Sequence, residues 1–189
     1  MEKLKAVISI LMLSTMIYAD EISDSINEAL TKYNGGDLTE ASNSLNYAIT
    51  LISQKKGDAL SGIFPKALDG WEAEEVNSSQ IFGGGISADR QYNKGESSIS
   101  ISMASDSPML QATMMLFSNP MFATADGAKM ETINGQKAIV KYKPEDKNGD
   151  VQIVVGNRFL VTVNGNSVSK EEMIEYVKSI DFAKLLETK

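Results

Sequence analysis

Five methionines, Met103, Met109, Met114, Met115 and Met121, crowd one stretch of this chain, and thioether sulfur is a soft donor suited to copper(I). A copper site needs several sulfurs converging on one point. Met109, Met114 and Met115 instead leave a helix in different directions at about 100° per residue. Asp146, Asn148 and Asp150 alternate as the first oxygen ligands of a calcium loop do, but Val151 stands where the loop needs glycine and Asn157 where it needs a closing glutamate. Glu72 and Glu74 share one face of an expected strand, a spacing that suits acid and base work, though neither has an orienting polar neighbour in sequence. Gly83-Gly84-Gly85 lacks the Lys and Ser/Thr of a phosphate loop. Ser169-Lys170 reads as the start of a helix rather than a nucleophile and base.

The missing residue types exclude more. The 189 residues contain no cysteine and no histidine, which removes thiolate nucleophiles, disulfides, thiolate or imidazole zinc sites and histidine proton shuttles. No metal and no cofactor is expected, and no enzyme activity. With 18 Lys plus Arg against 25 Asp plus Glu and a net charge of −7, the chain has no basic patch for nucleic acid.

The elements that must position any site fall into two styles. Lys3 and Lys5 precede an apolar run from Ala6 to Ile17, with Ala19 before Asp20. That run is too short to span a bilayer and reads as an export signal cut after Ala19. Export without cysteine suits a bacterial periplasm, and once processed the chain is expected not to be an integral membrane protein. From Ile22 to Tyr33 the residues Ile22, Ile26, Ala29, Leu30 and Tyr33 recur at helical spacing. Gly35-Gly36 ends that helix and Asp37 caps a second, with Glu40 three residues on and Leu38, Ala41, Leu45, Ala48 and Ile52 as its stripe. A short connection makes the pair antiparallel.

Ala29, Tyr33, Gly36, Asp37, Leu38, Ala41, Leu45, Ala48 and Ile49 follow spacings that resemble one tetratricopeptide hairpin over about residues 22–55. The repeat occurs once, and a lone copy does not build the stacked groove by which such arrays bind peptides.

Beyond residue 60 the signals change. Gly62, Pro65 and Asp69-Gly70 mark a joint over 61–70. Strands are expected at Trp71–Val76, Ile86–Tyr92, Ser98–Met103, Lys129–Ile133, Lys137–Tyr142, Val151–Val155 and Phe159–Val163, with turns at Asn134-Gly135, Asn148-Gly149 and Gly156-Asn157. Ile99, Ile101 and Met103 alternate with serines, so one face of that strand is buried. Ser107-Pro108 opens a helix that stops at Asn119-Pro120, and Ser169 with Glu172 forms a capping box for the last helix. The expected fold is α+β: an amino-terminal antiparallel helical hairpin over 20–60, then an antiparallel sheet domain over 71–189 covered by helices.

This order, with Gly70-Trp71 leading into the first strand and a helix closing the chain, resembles the PsbP-like group of exported α+β proteins from about Trp71 to Leu186. The resemblance implies an accessory, non-catalytic binding role and carries over no site residues.

Within that frame the helix after Pro108 is unusual. Met109, Leu110, Ala112, Met114, Met115, Leu116 and Phe117 leave it scarcely any polar face, so it is either buried, for which the hairpin is the first candidate, or presents a second apolar face outward. Methionine adapts to varied surfaces. Met109, Met114, Met115 and Phe117, with Trp71, are therefore the candidate apolar contact residues. An envelope protein is the expected partner. The alternative is a small apolar ligand or lipid in a pocket bounded by Met114, Phe117 and Ile99, and the default reading of Trp71 is an anchor that fills the core edge.

Overall fold

The computed structural model describes residues 20–81, 85–119, 121, 124 and 127–188. The export-signal segment and Gly83-Gly84 lie outside the described residues. The chain divides into two compact units, Met1–Lys55 and Lys56–Lys189, and the α+β class is as the sequence predicts.

In the first unit, helix α1 covers 20–34 and α2 begins at Leu38 and continues to Ser61, its last residues falling in the second unit. Gly36, at φ +83°, takes the left-handed conformation that the turn needs. Asp37 Oδ1 accepts from the Glu40 amide at 3.1 Å, the expected cap. Ser25, Ala29, Ala41, Ser44, Ala48 and Leu51 are buried, so the seam is built mainly from small residues that let helices approach closely. Tyr47 Oη donates to Glu21 Oε1 at 2.5 Å, tying the start of α1 to the middle of α2. The sequence places Leu30, Tyr33, Leu38 and Leu45 on the packed stripes, but they are exposed. Periodicity finds an apolar stripe without saying what it packs against.

In the second unit, eight strands among the described residues form one sheet: β1 Glu72–Ala73, β2 Asn77–Gln80, β3 Ile86–Lys94, β4 Ser97–Ser105, β5 Lys129–Ile133, β6 Gln136–Lys143, β7 Asn148–Val155 and β8 Phe159–Asn166. Their order is β1-β3-β4-β8-β7-β6-β5 with β2 beside β3, and every pair is antiparallel. Consecutive strands β5 to β8 form the expected meander. The chain reaches it from β4 through helix α3, Pro108–Ser118, and the meander then folds back so that β8 lies on β4.

The core occupies one sheet face. Tyr92, Ile99, Ile101, Met103, Val151, Ile153, Val161 and Val163 point into it, and helices α4, Lys170–Lys178, and α5, Phe182–Glu187, cover it with Met173, Tyr176, Val177, Phe182 and Leu185. Burying each of these large side chains is worth about 1.5–3 kcal/mol. The Ser169–Glu172 capping box forms as expected. Leu60, Ile63, Phe64 and Trp71 also belong to this core, so segment 61–70 is packed into the domain rather than acting as a free joint.

Two local expectations differ. The strand expected over Trp71–Val76 is reduced to β1, and β2 follows it unforeseen because Asn77-Ser78-Ser79-Gln80 has no apolar alternation and is exposed throughout. The turn expected at Asn148-Gly149 instead lies at residues 144–147 with Lys147 at φ +50°. Gly149 sits inside β7 opposite Gly165, where a Cβ would meet Lys141 O at 2.6 Å and Met173 Cε at 3.1 Å.

Candidate functional site

Helix α3 forms because Ser107 Oγ accepts from the Met109 amide at 3.1 Å and Pro108 takes the first helical position, where no amide hydrogen is needed. It lies against β7 and β8 on the sheet face opposite the main core. Only Leu110 and Thr113 are buried within it. Phe117 packs with Ala128, Met130 and Ile139 in a small second cluster. At about 100° per residue these positions define the inward side, and Met109, Ala112, Met115 and Leu116 turn outward. Met115 is 74% exposed, Met109 63% and Met121, just beyond the helix, 80%. Pro108–Ser118 contains no charged residue. The outward face of α3 is therefore apolar and uncharged.

Beside the helix, Met114 and Phe117 form one wall of a cleft of about 430 Å³, with Gly135, Gln136, Lys137, Val154, Gly156 and Asn157 on the others. The turns β5–β6 and β7–β8 meet at this end of the sheet because alternate turns of a meander share an edge. Both turns are legible as dipeptides in the sequence, but not their meeting under α3. Ile99 is not part of the cleft: it is fully buried on the opposite face, where the alternation of β4 directs it. Trp71 likewise does not join the contact surface. It is 8% exposed, meets Tyr176 edge to face and is the core anchor.

No family model, no curated protein and no solved structure matches this chain.

The remaining chemistry-bearing residues are dispersed. Met103 is buried in the core, Met114 is half-buried beside the cleft, and Met109, Met115 and Met121 are exposed. Among the described residues no group of three acids could hold a metal ion. Glu72 and Glu74 are both exposed, and Glu74 Oε1 accepts from Asn93 Nδ2 at 2.8 Å. Asn148 Oδ1 accepts from the Ser167 amide at 3.1 Å, which commits the middle oxygen of the calcium-like triplet to the fold. Burial raises the Asp150 carboxyl above its ordinary value, with Lys141 opposing.

On the α3 side, β3, β4, β8 and β7 also carry rows of short polar residues. Asp89, Ser102, Thr162 and Gln152 stand opposite one another, as do Gln91, Ser100, Asn164 and Asp150. Most are half-exposed, the ordinary state of the wet face of an antiparallel sheet. The buried hydroxyl of Tyr92 is pushed up to about 12 by desolvation, with Arg90 opposing, and donates to Pro65 O at 2.8 Å. That bond holds the segment before β1 in place.

Proposed function

We propose that this chain is a non-catalytic accessory protein of the bacterial periplasm that contacts an envelope protein partner through the outward face of α3. The observation that carries the reading is that face itself. Met109, Met115 and Leu116, with Met121 beside them, are left in water by a helix whose inward side is satisfied. Methionines fit an apolar partner helix without demanding one shape. Export is supported by the amino-terminal sequence pattern, and a binding role by the absence of histidine and cysteine and by the PsbP-like order of elements. Among the described residues no helix is long and apolar enough to cross a membrane.

The test places a photoactivatable amino acid at position 115, and separately at Ser100 on the polar sheet face, in cells that export the protein. A discrete protein adduct from position 115 alone, lost in Met109→Lys, supports the reading. Equal, diffuse labelling from both positions rejects it.

The cleft favours a second reading, a carrier of a small apolar ligand, through Met114 and Phe117. Gln136, Lys137 and Asn157 make its far wall polar, which suits an amphiphile with one polar end. Extraction and mass spectrometry of the purified protein checks it: a stoichiometric ligand lost in Phe117→Asp supports it, and a ligand-free protein rejects it.

A further inference from the structure

The helical hairpin has an exposed apolar face of its own, which the reading above does not use. Ile26, Leu30 and Tyr33 of α1, and Leu38, Leu45 and Ile49 of α2, are each between 46% and 64% exposed. Their positions follow from the seam. On α1 they lie about a quarter turn beyond buried Ser25 and Ala29 in the direction of winding. On α2 they lie a similar angle beyond buried Ala41, Ser44 and Ala48. Antiparallel helices wind in opposite senses when viewed from one end, so the two stripes come to the same side of the hairpin. The Tyr47–Glu21 hydrogen bond, between residues displaced the other way from each seam, marks the opposite side. One flank is thus polar and tied, and the other is a continuous apolar surface.

We infer that this surface is an interface between two copies of the chain, which pair hairpin to hairpin as an antiparallel four-helix bundle. Charge argues for the copy. A chain with net charge −7 repels itself unless its acids are held away from the contact. Asp20, Glu21, Asp24 and Glu28 all project from the other sides of α1 by the same angular reckoning. Within the hairpin unit the residues bordering the face on α2, Ser42, Asn46 and Ser53, are neutral and able to hydrogen-bond to their own symmetry mates, and the first cation along that line, Lys56, comes only at the start of the second unit. A helix pair built for a membrane surface would carry lysine and arginine along that border. Area argues the same way. Six large apolar residues at about half exposure leave on the order of 600 Å² uncovered, close to the roughly 800 Å² per partner of a standard interface. A two-fold axis through the face brings each stripe onto its own copy, the isologous arrangement that closes at two subunits.

The experiment uses the chain purified from cells that export it, so that its amino terminus is processed naturally. Sedimentation velocity across the micromolar range is expected to show a dimer. Leu30→Glu and Leu45→Glu are each expected to weaken dimerisation at least about thirtyfold, the scale of a hot-spot loss, whereas Asn43→Glu, exposed and turned at least about 120° from every residue of the α2 stripe, leaves it unchanged. Because the chain has no cysteine, a cysteine introduced at Leu45 forms a disulfide-linked dimer in oxidising buffer and one at Asn43 does not. A wild-type chain that sediments as a monomer overturns the inference. So does a dimer that survives both glutamate variants. A monomer that instead pellets with phosphatidylcholine vesicles, and ceases to do so as Leu45→Glu, overturns it in favour of a lipid surface.

Discussion

The rings of Trp71 and Tyr176 meet edge to face, their centroids 5.2 Å apart and their planes at 81°. Tyr176 lies also 4.6 Å from Tyr92, and its hydroxyl accepts from the Leu68 amide at 3.4 Å. Three aromatic rings from the segment before β1, from β3 and from α4 therefore close one end of the core. Trp71→Ala removes the outermost ring and is expected to destabilise the fold by about 3–5 kcal/mol, read as a shift in the urea midpoint with an unchanged slope.

Helix α3 supplies a contrast between two apolar residues on opposite sides. Leu110→Ala empties a buried position and should cost about 2–5 kcal/mol. Met115→Ala removes an exposed side chain and should change stability by no more than about 0.5 kcal/mol. Thermal unfolding of both variants checks the seating of the helix, since equal costs would mean that Met115 is covered.

Gly165 and Gly149 face each other across β8 and β7 so that α4 can approach. A Cβ at Gly165 would lie 2.5 Å from Val168 Cγ2 and 3.3 Å from Met173 Sδ. Gly165→Ala should cost about 1–3 kcal/mol by overpacking. Shortening Val168 in the same chain should restore part of that, a non-additivity that denaturant titration of the double variant measures.

Two carboxyl groups should tilt the pH dependence of stability in opposite senses. Hydrogen bonds from Lys94, and then from Ser169, hold Glu172 below the ordinary glutamate value of 4.5. The folded state favours its ionised form, so that contribution is complete above 4.5 and is lost as pH falls through the lowered value. Asp150 is raised above 3.8, chiefly by burial. There the folded state holds the proton more tightly, and stability falls as pH rises through the window between 3.8 and the raised value. Glu172→Gln should flatten the loss of stability on the acid side, and Asp150→Asn should raise the melting temperature at neutral pH. Melting curves from acid to neutral pH check both.

Much of this architecture is legible in the residues. The Ser107 cap, Pro108 at the first helical turn, the Ser169–Glu172 box and the alternation of Ile99, Ile101 and Met103 are local signals, and local hydrogen bonds and sterics decide them. What is not legible depends on distant partners. Asn148-Gly149 has the composition of a turn, yet Gly149 is needed inside β7 to admit Met173. The hairpin stripes are visible as periodicity, but alanine and serine hold the seam while leucine and tyrosine stand outside it. The cleft beside Phe117 arises where two turns meet, and nothing near Phe117 in sequence announces Gln136 or Asn157.

The placement of β8 against β4 also governs the order in which the domain can be assembled. Strands β5 to β8 pair with their sequence neighbours, as β3 does with β4, so both pieces close over short loops at small entropic cost. Ser105 stands opposite Phe159 and Ser98 opposite Asn166, and that seam must wait for a long loop that carries α3. The long sequence separation across the central ladder makes it the expected slow step of folding. Until it zips, the uncharged methionine-rich helix hangs from an unfinished sheet, and that interval is when an unaided chain is most open to aggregation.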